Sequence, residues 1–231
     1  MMTTFVGPTL AFLKSFRLSS AQQESLKWLA LLSMFVDHIG AILLQGSSFY
    51  WAFRSVGRIA FPLFAFLVAY NLVVRGASSQ KYLINLLVAG VVAQIPYMWA
   101  FGVSRFNIMF TLFLAVVPYH FRANKPRLII ATLFVMAVLI EFNVDYGIYG
   151  VLLILGFMVA LARPAWWSLF TLPVLVFVVN GFQPLALAGL VALPLIVGVR
   201  YVNFRSPIRV PKWFFYIFYP AHLLLLKFIT V

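Results

Sequence analysis

From Lys27 onward the chain is a succession of apolar stretches separated by short polar or Gly- and Pro-containing breaks. At 1.5 Å per residue each stretch is long enough as a helix to cross most of a hydrocarbon core of ~30 Å. The pattern predicts about nine spans, between eight and ten, at 27–45, 51–74, 81–101, 106–121, 127–142, 146–162, 165–181, 183–199 and 212–230. The junctions at 142–146 and 181–183 are the shortest and leave room for one re-entrant pair. Residues 1–25 contain charges but neither a continuous apolar run nor a cleavage pattern, so they read as a cytoplasmic N-terminal segment. With no repeat, linker or low-complexity stretch, residues 26–231 read as one transmembrane domain. The fold class is all-α, a polytopic transmembrane helical bundle. Pro62, Pro96, Pro173 and Pro194 fall inside predicted spans and read as kinks, because neighbouring helices can satisfy the freed carbonyls.

Composition strengthens this reading. Of 231 residues, 65% are hydrophobic and 9% charged, against roughly a quarter charged in a soluble domain. The absence of cysteine removes disulfides, zinc thiolates and thiol nucleophiles. Four carboxylates in the whole chain make a carboxylate-rich metal centre improbable, and no metal is expected.

The charge of +13 raises the question of nucleic acid. Positions decide against it. With the N-terminus cytoplasmic, 13 of the 17 Lys and Arg fall on inner segments, among them Lys14, Arg17, Lys27, Arg75, Lys81, Arg205 and Lys212. The outer side holds Arg54, Arg58, Arg105 and Lys227 together with Glu141 and Asp145. This is the asymmetry of a multi-pass bacterial inner-membrane protein, and it accounts for the charge without nucleic acid.

Ionisable groups inside spans cost at least ~2.5 kcal/mol each at the bilayer centre, so each is a functional candidate. Lys27 and His38 are eleven residues apart, which returns them to one helical stripe with the imidazole about 16 Å deeper. That reach suits a phosphate-bearing carrier lying along the helix; the plainer alternatives are a snorkelling Lys27 and a hydrogen-bonded bundle histidine. If the first two helices turn near Ser48, Asp37 and Arg58 reach similar depth and should pair beside His38, with Arg54 on the same face as Arg58. His222, ten residues beyond Lys212, should share a layer with His38, although Pro220 before it allows a merely structural strut. His120 reads as interfacial. Asn107, like Asn71, Asn85, Gln94 and Asn180, is uncharged and suits helix-to-helix bonding or a substrate contact. Asp145, in Asp145-Tyr146-Gly147-Ile148-Tyr149-Gly150, is expected to cap the next helix or to bind a cation or amine.

Several of these residues lie in stretches with a family likeness. The run from Leu26 to Gly40, ending Val36-Asp37-His38-Ile39-Gly40, resembles the opening motif of the TraX family of conjugation-associated membrane proteins. So do Gly57-Arg58-Ile59-Ala60-Phe61-Pro62, Gln94-Ile95-Pro96-Tyr97, Asn107 to Thr111, Asp145 to Gly150 and Phe215 to Leu223. The first helix also looks like that of wider membrane acyltransferases, with Lys27 in place of an arginine. The resemblance implies membrane-embedded acetyl transfer, since the founding member is associated with N-terminal acetylation of the F-pilus subunit.

The same resemblance implies an acyltransferase-like domain that takes acetyl groups from acetyl-CoA. Lys27 with Arg75 or Lys81 would hold the carrier's phosphates, and His38 would act as general base with Asp37 beside it. His222 would be a second base, or the partner of a short-lived acetyl-His38. The acceptor would be an amine, such as a pilin-like peptide N-terminus, or the hydroxyl of a glycan. A proton-coupled transporter or flippase using the same His, Asp and Arg is the alternative; it predicts symmetry between halves, which the sequence does not display.

Overall fold

The computed structural model describes residues 16–181, 183–202, 209 and 211–230. Among these the protein is helical throughout, and nine helical rods form a membrane bundle. The first rod, α1, is Ser20–Leu43, and the second is broken into α2, Tyr50–Gly57, and α3, Ala60–Val73. Next come α4, Ser79–Phe101, α5, Ile108–His120, α6, Lys125–Glu141, α7, Gly147–Ala162, and α8, Ser168–Val179. The eighth rod is again broken, into α9, Ala186–Gly189, and α10, Ala192–Gly198, which ends in a 3-10 turn Val199–Tyr201. The last is α11, Lys212–Phe228. The rods Ser20–Leu43, Tyr50–Val73 and Ser79–Phe101 are long and apolar enough to cross a membrane, and the shorter apolar helices pack among them.

The first helix begins seven residues before the expected Lys27, so residues 20–25 are not part of a separate leading segment; residues 1–15 lie outside the described residues. The cause is local. Ser19 accepts from the Gln22 backbone N–H while the Gln22 side chain reaches back to the Ser19 N–H, a complete capping box. Lys27 therefore lies two turns inside the helix, and His38 sits in the last two turns of α1, towards the α1–α2 turn.

The two broken rods carry Pro62 and Pro194 in the first turn of the restarted helix, not at a kink in a continuous one. Proline lacks an N–H and its ring excludes the carbonyl four residues back, so the ladder breaks at Arg58 and resumes at Ala60. Gly189 packs against the Arg58 carbonyl that this break turns outward; a Cβ there would stand 3.2 Å from that oxygen and 2.3 Å from Asn180 Nδ2. Pro96 and Pro173 lie inside α4 and α8 as expected.

Helix α3 is the axis of the bundle: Phe61, Leu63, Ala65, Phe66, Ala69 and Tyr70 are buried, and the helix packs on α1, α7 and α10. Helix α11 closes the bundle between α1 and α4. Polar ties hold one end, where Gln22 donates to the Arg200 carbonyl at 2.9 Å and Gln23 to Asn71. At the same end Asn71 donates to the Tyr82 hydroxyl at 2.9 Å and Ser79 bonds His120 at 2.8 Å. At the other end the Phe106 N–H donates to the Asn143 carbonyl and the Asp145 N–H to the Phe106 carbonyl, both at 2.9 Å, tying the α4–α5 turn to the α6–α7 turn. The charge groups separated in the sequence thus lie at opposite ends of one molecule. Lys14 and Arg205 lie outside the described residues.

Candidate functional site

Spacing along α1 generates the site's first wall. Lys27, Leu31, Met34 and His38 follow one another at four, three and four residues, a single stripe turned towards α11. Ring contacts fasten α11 against α1: Trp28 on Phe214 at 6.1 Å, and Phe35 on Phe218 and His222 at 6.0 and 5.9 Å. Between the two helices Leu31, Met34, Phe215 and Tyr219, with Phe64 and Met109, line an apolar cavity of about 40 Å³. It lies on the line from Lys27 to His38.

At its far end two buried histidines meet. His38 Nδ1 and His222 Nε2 are 2.6 Å apart. The rings are parallel within 2° with centroids 4.9 Å apart, so they lie edge to edge and share one hydrogen bond. The other nitrogen of His222, Nδ1, is 2.6 Å from the Phe218 carbonyl, which can only accept. With both rings neutral, that places the His222 proton on Nδ1 and leaves Nε2 as acceptor. His38 must then donate from Nδ1. Its Nε2 is consequently the unprotonated, basic nitrogen of the pair. Phe101 packs edge-on against His38 at 5.2 Å, and Tyr219 is buried beside both rings.

Asp37 belongs to a different face of α1 and is bonded elsewhere. Its Oδ2 accepts from Arg54 Nη1 at 2.6 Å, which corrects the expected pairing with Arg58. Gly57 explains the choice: a Cβ on it would stand 1.9 Å from Asp37 Oδ1, so Gly57 is the residue of α2 facing Asp37. Arg54, three residues earlier, shares that face, whereas Arg58 is turned about 100° away. Arg58 Nε is buried with no hydrogen-bond partner among the described residues. The charges of Arg54 and Arg58 nonetheless both act on Asp37.

The α6–α7 turn completes this end. Asp145 does not cap α7; that position is Tyr146, in the left-handed conformation at φ 60° and stacked on Phe61 with centroids 4.0 Å apart. The Asp145 carboxylate lies 3.8 Å from Arg105 Nη1, and its backbone carbonyl accepts from Thr111. Burial raises the Asp145 carboxyl above its ordinary range, opposed by the Arg105 charge. Asn107 is wholly buried and committed to structure: it caps α5 through Met109 N–H and donates to the Gly90 carbonyl and to Gln94.

The structure thus joins His38 to His222 but separates Asp37 from that bond. Lys27 is in an ion pair with Glu24 at 2.6 Å, one turn back along α1. Arg75 and Lys81 are exposed on either side of the α3–α4 turn, at the same end of the bundle as Lys27. Tyr97, Arg105, Tyr146 and Tyr219 join the site without having been singled out. For Arg105 the signal was available, since it breaks the inside bias as Arg54 and Arg58 do. For Tyr146 none was, because only the folded backbone gives a tyrosine positive φ.

Comparison with known proteins gives this site a lineage. The model of the TraX protein family matches residues 22–230, a range that contains every candidate residue named above. The chain belongs to the TraX family. Over 141 residues it is 30% identical to a protein of Dichelobacter nodosus named "Probable fimbrial assembly protein FimC, serogroup H1". The match covers 55% of this chain and 57% of that relative, so the chain spans little more than half the length of the curated relative it matches. No solved structure matches. The TraX-family match reaches into α11 as well as α1, so both histidines fall within it.

Proposed function

We propose that this TraX-family protein is a membrane acetyltransferase that moves an acetyl group from acetyl-CoA to an amine, such as the N-terminus of a pilin-like peptide, or to a hydroxyl. The observation that carries the reading is the His38–His222 pair, whose bonding leaves His38 Nε2 as a buried base. As the acceptor nitrogen or oxygen forms its bond to the thioester carbonyl, its proton passes to His38 Nε2. The carbon–sulfur bond then breaks, and the departing thiolate takes that proton from His38. His222 holds the tautomer and spreads the charge while His38 is protonated. The family and the fimbrial assembly name of the relative support a pilin-type acceptor.

The carrier would enter from the end that holds Lys27, Arg75 and Lys81. Its phosphates would meet Arg75 and Lys81 in water, with Lys27 exchanging Glu24 for phosphate. Its apolar arm would run along Leu31 and Met34 towards His38, about 16 Å from Lys27. The cavity is far smaller than that arm, so Met34 and Met109, both unbranched and adaptable, would have to swing aside. The orientation that suits cytoplasmic acetyl-CoA puts this end on the inner side of the bacterial inner membrane, in keeping with its excess of Lys and Arg.

The test is purified full-length protein in lipid, given acetyl-CoA labelled in the acetyl group and a panel of peptides with free N-termini, amines and sugars. Transfer of label with release of CoA is expected, falling by about 10²–10⁴ in His38→Ala while acetyl-CoA still binds. Failure of the native protein to release CoA with any acceptor would overturn the reading. Ion-coupled movement of a solute by the same vesicles would favour a transporter.

A further inference from the structure

The end of the bundle beyond His38 carries an unbalanced charge. Three guanidinium groups, Arg54, Arg58 and Arg105, gather there with two carboxylates, Asp37 and Asp145. Asp37 is taken by Arg54 at 2.6 Å, and Asp145 lies against Arg105 at 3.8 Å. Arg58 makes neither ion pair nor side-chain hydrogen bond with a described residue, and its Nε is shut off from water. Glu141 and Lys227, at the ends of α6 and α11 on this side, offset each other. A cation left without a partner beside apolar helices is costly, and a place that keeps one invites an anion.

The surplus is joined to the base through the chain: Gly57, the residue before Arg58, packs on Asp37, the residue before His38. Arg58 together with Arg54 also exerts its charge on Tyr146, the residue of positive φ that walls the cluster. The break between α2 and α3 fixes the main chain of Arg58, because Gly189 sits on its carbonyl. One unmatched positive charge is balanced by one carboxylate, and the planar guanidinium fork fits a carboxylate through two parallel hydrogen bonds.

We propose that the acyl acceptor carries a carboxylate near its nucleophile and that Arg58 binds it, so that the nucleophile is presented to His38 from the α1–α2 end. The proposal rests on the acyl-transfer reading and adds the acceptor's charge to it. An acceptor of this class is a peptide with an acidic side chain close to its free N-terminus. Acetyl-CoA and acceptor would then approach His38 from opposite ends of the bundle.

The experiment measures binding without acetyl-CoA, so its failure is distinguishable from failure of the transfer reading. The full chain in detergent micelles is titrated calorimetrically with Gly-Asp-amide and with Gly-Asn-amide, which differ in one carboxylate. Gly-Asp-amide is expected to bind about tenfold more tightly or better, as one charged hydrogen-bonded contact provides. Arg58→Gln should abolish the difference and Arg58→Lys should keep part of it, which also guards against loss of fold in the first variant. Equal affinities on the native chain, or a preference that survives Arg58→Gln, would overturn the proposal. Inorganic phosphate binding in an Arg58-dependent way while Gly-Asp-amide does not would also overturn it, by making the site one for phosphate.

Discussion

His222 can bond the Phe218 carbonyl only by donating from Nδ1, and that single proton decides which nitrogen of His38 is basic. His222 thus positions His38. Its replacement by Gln, whose amide oxygen can take the place of Nε2 as acceptor, should retain substantially more turnover than replacement by Leu. The KM for acetyl-CoA should be little changed in either. Similar kcat values for the two variants would show that the acceptor at Nε2 has no part in transfer. The second prediction at this scale concerns Asp37 and Arg54. Arg54→Ala leaves a carboxylate unpaired in a largely buried place and should cost about 3–5 kcal/mol, whereas Arg54→Ala combined with Asp37→Asn should recover much of it. Folded yield and thermal midpoint in detergent report both, and equal losses would mean that the pair is not coupled. Both histidines and both charges were legible as intramembrane polar groups. The partner of Asp37 was not, because depth counted from Ser48 favours Arg58, ten residues beyond the turn, over Arg54, one helical turn nearer to it. The direction of the face decided, and that direction is marked by Gly57.

At the scale of the helices, α1 and α2 meet closely because Gly40 and Gly57 carry no side chain where each faces the other helix. Gly57→Ala would drive a Cβ into the Asp37 carboxylate and should destabilise by about 1–3 kcal/mol, with loss of the Asp37–Arg54 bond. Gly198→Ala is the control: nothing stands within 4 Å of its Cβ, and alanine favours helix, so the thermal midpoint should hold or rise slightly. A Gly57→Ala protein as stable as the Gly198→Ala one would mean that α2 can move away from α1 without cost. The element boundaries were partly readable in advance. The Ser19–Gln22 box that starts α1 is a sequence signature, overlooked because the leading residues are not apolar. The broken rods could be located from Pro62 and Pro194, but whether such a proline bends a helix or begins one depends on what receives the freed carbonyl. Here Gly189 packs beside the carbonyl of Arg58.

For the molecule as a whole, the two ends differ in charge, and the proposed orientation assigns the Lys27 end to the cytoplasm. The chain has no cysteine, so single cysteines can report it directly. Ser48→Cys, exposed in the α1–α2 turn, should react with an impermeant thiol reagent on intact cells, and Ala123→Cys, exposed in the α5–α6 turn, should react only after lysis. The opposite pattern would reverse the orientation and move the proposed carrier entrance to the outer side. By itself the sequence determined that this is a helical membrane bundle, where its rods lie to within a few residues apart from the start of α1, and that its charges divide between alternate connections. Those properties stem from hydrophobic run length and from the cost of placing charge in hydrocarbon, both additive along the chain. Only the tertiary structure decided that His38 bonds His222 across 184 residues, that Asp37 is held by Arg54, and that Arg58 is left unmatched among the described residues. Those depend on which faces of distant helices turn towards each other, a relation set by ring packing, glycine contacts and prolines acting together rather than by any one stretch of sequence.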